Sequence, residues 1–235
     1  MGLADLHMHT IHSYDGTASV PAVLERAREV GLDVIAITDH DEIKGALIAQ
    51  ELASRYELEV IPGIEITTAD GDLLALNVTC KIERGHSLEE TVLAVKEEGG
   101  FCIAPHPTAE GLGMKSLSWQ VISKAIRIPE VASTLIAIES HNATLLDREG
   151  NHYADVLANR YHISKVGNSD AHVLEAIGLG MTEFPGSSAD DLLAALRQGT
   201  TTIRKGEEWN SFQILGSWLA KYAASAVNRL SLAAQ

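Results

Sequence analysis

The sequence predicts an α/β barrel, closed or nearly closed, in one domain. Short apolar, β-branched runs alternate with helix-period segments, the pattern of a parallel sheet covered by helices. No glycine-rich phosphate loop follows the first strand, which argues against an open dinucleotide-binding sheet. Six or seven such βα units in 235 residues suit a single barrel.

The elements follow in order. Leu3 to His9 reads as the first strand. Ser19, with Pro21 just behind it, opens a helix carrying Val23, Leu24, Ala27 and Val30, and Gly31 stops it. Asp33 to Thr38 is a second strand and Glu42 to Tyr56 a second helix. Leu58 to Thr67 forms a third strand, interrupted at Pro62-Gly63, and the Asp70-Gly71 turn leads to a fourth at Asp72 to Thr79. Ser87 and Glu90 have capping-box spacing at the start of a helix that runs to Glu98. Phe101 to Ala104 is the fifth strand, Ser116 to Ile126 a helix, Thr134 to Glu139 the sixth strand and Ala154 to Tyr161 a helix. Ile163 to Gly167 is the seventh strand, and Ser188 to Arg197 a late helix. The barrel is expected to span 1–205, with 206–235 a helical extension packed on it; Leu215, Trp218, Leu219, Tyr222 and Ala226 carry its helical spacing. A homodimer contact through that helix is the second reading.

Composition narrows the partners. Eighteen Lys and Arg against 32 Asp and Glu give a net charge of −14, and only 5% of residues are aromatic. Such a chain has no cation excess for nucleic-acid backbone, so no stable nucleic-acid binding is expected. Cys80 and Cys102 make no disulfide framework. The start MGLADLHMHT lacks a leader pattern and no stretch reads as a membrane span, so a cytoplasmic location is expected.

Chemistry concentrates at the strand ends. His7 and His9 end the first strand, Asp39 and His40 the second and Glu65 the third; His106 follows the fifth. Glu139 and His141 end the sixth, and Asp170 and His172 follow the seventh. In a barrel these ends share one rim, where active sites are built. Residues two apart on a strand project from one face, so His7 and His9 can grip one ion, as can Asp170 and His172; the plain alternative is polar residues on an exposed strand end. Asp39 is open between capping the next helix and ligation. Glu65, in an apolar stretch, needs a metal or a hydrogen-bond network to be buried. Imidazole and carboxylate without thiolate suit Zn, Mn, Fe or Ni, and there are too many donors for one tetrahedral centre. Clustered divalent ions activate water and stabilise a leaving group, chemistry that fits phosphate-ester hydrolysis.

Asp5-Leu-His-Met-His-Thr10 with Ser13-Tyr-Asp-Gly16, Ile37-Thr-Asp-His-Asp41, Pro62-Gly-Ile-Glu65, His106-Pro107 and Gly167-Asn-Ser-Asp-Ala-His172 together resemble the motifs of the PHP (polymerase and histidinol phosphatase) family. The resemblance implies a distorted (β/α)7 TIM-like barrel with two or three divalent ions (Mn, Zn or Fe). It assigns His7, His9, Glu65 and Asp170 to one ion, with Glu65 bridging to a second held by His106, and Asp15, His40 and His172 to a third. His141 is a further candidate ligand. An Asp at position 15 is similar to the nucleotide-phosphatase side of the family. The activity implied is a metal-dependent phosphoesterase hydrolysing small phosphomonoesters, with nucleotide and sugar phosphates as candidates, by metal-activated hydroxide. His172 and His12 are candidates to protonate the leaving group, and Lys115 and Arg148 to anchor phosphate. The rivals are an amidohydrolase-type hydrolase on a similar barrel, which activity on cyclic amides would reveal, and a non-catalytic metal-holding module, which a closed coordination sphere would reveal.

Overall fold

The computed structural model describes residues 1–109, 115–144, 148–206 and 213–223, the side chain of Arg148 excepted. Its strands are β1 (Gly2–Asp5), β2 (Val34–Ile37), β3 (Glu59–Thr67), β4 (Asp72–Leu76), β5 (Phe101–Ala104), β6 (Leu135–Asn142), β7 (Ser164–Asn168), β8 (Gly180–Phe184) and β9 (Thr202–Lys205). The helices are α1 (Val20–Glu29), α2 (Lys44–Leu52), α3 (Leu88–Glu97), α4 (Trp119–Ala125), α5 (Pro129–Ala132), α6 (Arg148–Tyr161) and α7 (Ala189–Gln198).

The strands form one sheet in the order β7-β6-β5-β4-β3-β2-β1-β8-β9. The sheet curls until its ends meet. His9 N donates to the Ala171 carbonyl (2.9 Å), Leu6 N to Asn168 Oδ1 (3.0 Å), and Gly167 N on β7 to Thr182 Oγ1 on β8 (3.1 Å). This is the nearly closed α/β barrel that the sequence pattern predicts.

The sheet is not all-parallel. β1–β2–β3 and β5–β6–β7 are parallel runs, but β4 is antiparallel to both β3 and β5, and β8 to both β1 and β9. The Asp70-Gly71 turn explains the first reversal, because so short a link joins only antiparallel strands. β8 and β9 are absent from the sequence reading; β9 is largely exposed, so it carries little of the apolar pattern that marks a strand. The expected interruption of the third strand does not occur. Pro62 stays in register with Ile37, and its carbonyl accepts from Asn77 N at 2.8 Å. Gly63 beside it is required by space, since a Cβ there would lie 2.6 Å from Leu76 Cδ2.

Two apolar layers hold the barrel. The outer one packs α1, α2, α3, α4 and α6 on the strands through residues such as Leu24, Ile64, Val92, Ile122 and Leu157. The inner one joins Ala4, Val34, Ile61, Leu74, Ile103, Ala137, Val166 and Phe184, one or more from each strand β1 to β8, with Leu192 and Leu196 of α7. Mutual contact among side chains from so many strands places them inside the closed sheet. α7 plugs the end where the strands begin: Ala189 N donates to Glu59 Oε2 (2.8 Å) and Ser164 Oγ to the Leu196 carbonyl. The capping box expected at Ser87 and Glu90 is present, and Ser188 with Asp191 forms a second one on α7. Ile214 is buried in the outer layer and Trp218 packs against it, both within the helical residues 213–223. No described helix is long and apolar enough to cross a membrane.

Candidate metal centre

The opposite end of the barrel is lined with charge. Glu65, at the end of β3, is fully buried and stands at its centre. Its Oε2 lies 3.1 Å from His7 Nε2, 3.3 Å from His9 Nε2 and 3.3 Å from His40 Nδ1, and its Oε1 lies 3.2 Å from His106 Nε2. Asp170 Oδ1 approaches His7 Nε2 at 3.4 Å, His9 Nε2 at 3.3 Å and His172 Nδ1 at 3.5 Å. Nearer the surface, Asp15 Oδ2 lies 3.1 Å from His172 Nε2 and 3.3 Å from His40 Nε2. Three donor groups result, each with its atoms within 4.8 Å of one another: His7, Glu65 and His106; His7, His9 and Asp170; and His9, Asp15, His40 and His172. Because His7 and His9 each belong to two groups, the three form one continuous centre.

Local structure aims these side chains inward. His106 and Asp170 have φ of 28° and 53°, in the left-handed region that L residues adopt at a cost of roughly 1–2 kcal/mol. His106, set between two prolines, is held there by its N–H, which donates to Glu139 Oε2 at 2.7 Å. Glu139 Oε1 lies 3.1 Å from His7 Nδ1, and both its oxygens accept side-chain amides, from Asn142 (3.0 Å) and Asn168 (2.8 Å). Asp39 caps no helix among the described residues and lies outside the three donor groups. Its carboxylate takes the Thr10 N–H (2.6 Å) and hydroxyl (2.8 Å), tying the first loop to the end of β2. Gly45 makes room for it, since a Cβ there would sit 2.1 Å from Asp39 Oδ2.

The electrostatics show what the cluster is suited to hold. Burial disfavours charge on every member. Against that pressure, His40 and His7 hold Glu65 well below the usual carboxylate range, and His7 and the other imidazoles do the same for Asp170. Burial would lower His7 too, but Asp170, Glu65 and Glu139 raise it well above an ordinary histidine, and Glu65 with Asp15 lifts His40 to about 10. His9 goes the other way: burial and the charge of His172 push it down to about 4. Its two ring nitrogens are buried and neither makes a hydrogen bond, although Nε2 lies between two carboxylates. A buried donor or acceptor left unmade costs about 1–3 kcal/mol. Divalent cations fit this arrangement: they supply the positive charge that protons otherwise provide and use the orphaned imidazole nitrogen as a ligand.

The comparisons with known proteins agree in direction. Residues 148–201 match the PHP_C family, described as PHP-associated. An uncharacterized protein of Methanocaldococcus jannaschii, MJ1587, is 38% identical over 114 residues, covering 44% of this chain and 67% of that protein. The chain belongs to the PHP family. A phosphoribosyl 1,2-cyclic phosphate 1,2-diphosphodiesterase of Eggerthella lenta is 34% identical over 102 residues, 43% of this PHP chain but 34% of that protein. Among solved structures, a two-domain Bacteroides vulgatus protein described as containing a predicted PHP-like metal-dependent phosphoesterase shares the fold, with a TM-score of 0.68 at 19% identity over 93% of this chain and 69% of that one.

Of the residues singled out in the sequence, His7, His9, Asp15, His40, Glu65, His106, Asp170 and His172 fall within the three groups. His141 does not. A register shift in β6 between Glu139 and His141 takes it off the inward alternation, and its Nδ1 lies 3.5 Å from Asn151 Nδ2. His12 also stands apart; burial and Lys44 lower its pKa, so less of it carries the second proton a general acid must hold. Lys115 is exposed on the rim of a cavity of about 510 Å³ that is also lined by Tyr14, His40, Thr67, Asp72 and Arg84. Arg148 begins α6, and its side chain lies outside the described residues. The sequence places Glu139 on the rim without a role there and does not single out Arg84. Glu139 shares its strand end with His141, and the need to satisfy a carboxylate directly after the apolar run Leu135–Ile138 was the available signal. Arg84 lies in an irregular segment with no periodicity to place it.

Proposed function

We propose that this chain is a metal-dependent phosphoesterase acting on small phosphomonoesters, with nucleotide and sugar phosphates as the substrates to test first. One observation carries the reading: three donor groups joined through His7 and His9 open beside a cavity that has Arg84 and Lys115 on its wall. In this reading His7, His9, Glu65 and Asp170 hold one ion, Glu65 and His106 a second, and Asp15, His40 and His172 a third. Bound divalent ions would supply Lewis acidity, an activated water and charge neutralisation for a phosphoryl group.

The chain's own residues do the rest. Glu65, with both oxygens engaged, fixes the spacing between the inner positions. Glu139 holds the far nitrogen of His7 and so orients its ligating one, the outer-sphere role typical of a carboxylate behind an imidazole. Tyr14, whose ring stacks on His40 at 4.9 Å, walls the cavity on the metal side. The cavity is sized for a small leaving group, and Lys115, with Arg84 paired to Asp41 at 3.4 Å beside it, places positive charge against an anion entering a chain that carries −14 overall. His172 is read here as a ligand and not as a proton donor, since its Nδ1 is held by the Asp170 backbone carbonyl at 3.0 Å and its Nε2 faces the Asp15 carboxylate.

The test is phosphate release by protein loaded with Mn, Zn or Fe, using an aryl phosphate and a panel of sugar and nucleotide phosphates. Turnover that His9→Ala abolishes is expected. Fully loaded protein that releases no phosphate, or that opens cyclic amides instead, would overturn the reading.

A further inference from the structure

The outer donor group differs from the inner two in what supports it. Asp15 and His172 lie further out than the inner residues, ten positions past the end of β1 and four past the end of β7. The helix at 213–223 reaches both. The indole Nε1 of Trp218 donates to the backbone carbonyl of Asp15 at 3.0 Å, across 203 residues of sequence. One turn further on, Lys221 pairs with both carboxylate oxygens of Glu175, three residues past His172. Thr17 Oγ1, in the Asp15 loop, donates to the His172 carbonyl at 2.7 Å and ties the two loops together. The helix is itself anchored: Ile214 is buried in the outer core and Trp218 packs against that core.

We propose that this helix is a positioning element of the metal centre, in which Trp218 and Lys221 fix the loops bearing Asp15 and His172 and so set cation affinity at the outer group alone. The indole N–H uses the Asp15 carbonyl, leaving the carboxylate, steadied by Ser13 Oγ at 2.6 Å, turned toward His40 and His172. Glu65 is on β3, and His7 and His106 lie two residues past the ends of β1 and β5; none of the three makes a hydrogen bond or ion pair with the helix among the described residues. The inference rests on the metal reading above but not on any catalytic activity.

The experiment titrates Mn²⁺ into the metal-free full chain by calorimetry and counts bound ions by electron paramagnetic resonance. Trp218→Phe keeps the ring and loses the N–H; Lys221→Met releases the second loop. Each is expected to weaken the weakest class of sites about tenfold, the lower end for outer-sphere partners, with the tighter classes and the metal-free melting midpoint unchanged. In a Trp119→Phe/Trp209→Phe background, Trp218 emission should change only as the last class fills. Unchanged affinities in both variants would overturn the proposal, as would equal weakening of all classes with a lower metal-free midpoint, the mark of a helix that only stabilises the fold. A chain that passes these tests and yet hydrolyses no phosphate ester would sink the phosphoesterase reading and leave this one standing.

Discussion

At the end of the barrel where the strands begin, Phe184, Leu192 and Leu196 are buried against one another and against inward residues of the neighbouring strands. At the other end, an equally buried volume is filled by His7, His9, Glu65, His106, Glu139 and Asp170. The two ends share strands, so the same register serves both. Burial stabilises the first end directly, by roughly 25 cal/mol for each Å² of apolar surface removed from water. It works against the second, where each charge must be matched by a neighbour. One end therefore supports the fold, and the other draws on that support to hold a constellation that would not hold itself.

The contrast can be broken most severely at its centre. Glu65→Gln removes the carboxylate that four imidazoles share and should lower metal affinity by more than about 100-fold, beyond the range for outer-sphere partners; metal content after gel filtration checks this, and near-stoichiometric ions would refute it. Next in size, Leu196→Ala should cost about 2–5 kcal/mol in urea unfolding by opening a cavity in the plug, while the folded protein keeps its metal count. Glu139→Gln touches the centre from behind and should weaken metal binding about 10- to 100-fold with little change in fold. If it behaved like Glu65→Gln, the carboxylate would be a ligand and not a support.

The last test is a pH dependence, confined to the metal-free protein. In the metal-free protein His40 has its pKa raised from 6.5 to about 10. The stability it contributes is therefore fully present below pH 6.5 and lost as pH rises through about 10. Melting midpoints of metal-free protein should fall by a few degrees between pH 6.5 and 9.5. Protein loaded with ions has given up that proton and should lose this part of the decline. Parallel curves with and without chelator would sink the idea that cations replace protons at this end.

Much of the site was readable in the sequence because strand geometry is periodic: His7 and His9 two apart, and acids or imidazoles at the ends of successive apolar runs, had only one face on which to meet. The barrel was readable for the same reason. What escaped was set by contacts between distant segments. β9 has little apolar signal, and β8 becomes a strand by pairing with β1 and β9 rather than by its own pattern. His141 lay in period with Glu139, but a register shift within β6 undid the alternation. Trp218 looked like an ordinary core aromatic at helical spacing, and no local rule aims an indole N–H at a carbonyl 203 residues earlier.

The seam where β1 meets the segment after β7 has a consequence for biosynthesis. His9 N bonds to the Ala171 carbonyl across that seam, and Asp170 stands beside it. A growing polypeptide that has left the ribosome only as far as α6 already carries His7, His9, Glu65 and His106, yet has nothing with which to shut the ring around them. Two of the three donor groups need Asp170 or His172 and so cannot form before that segment folds. Closure of the seam needs the segment after β7, so the complete donor set exists only once that segment is in place.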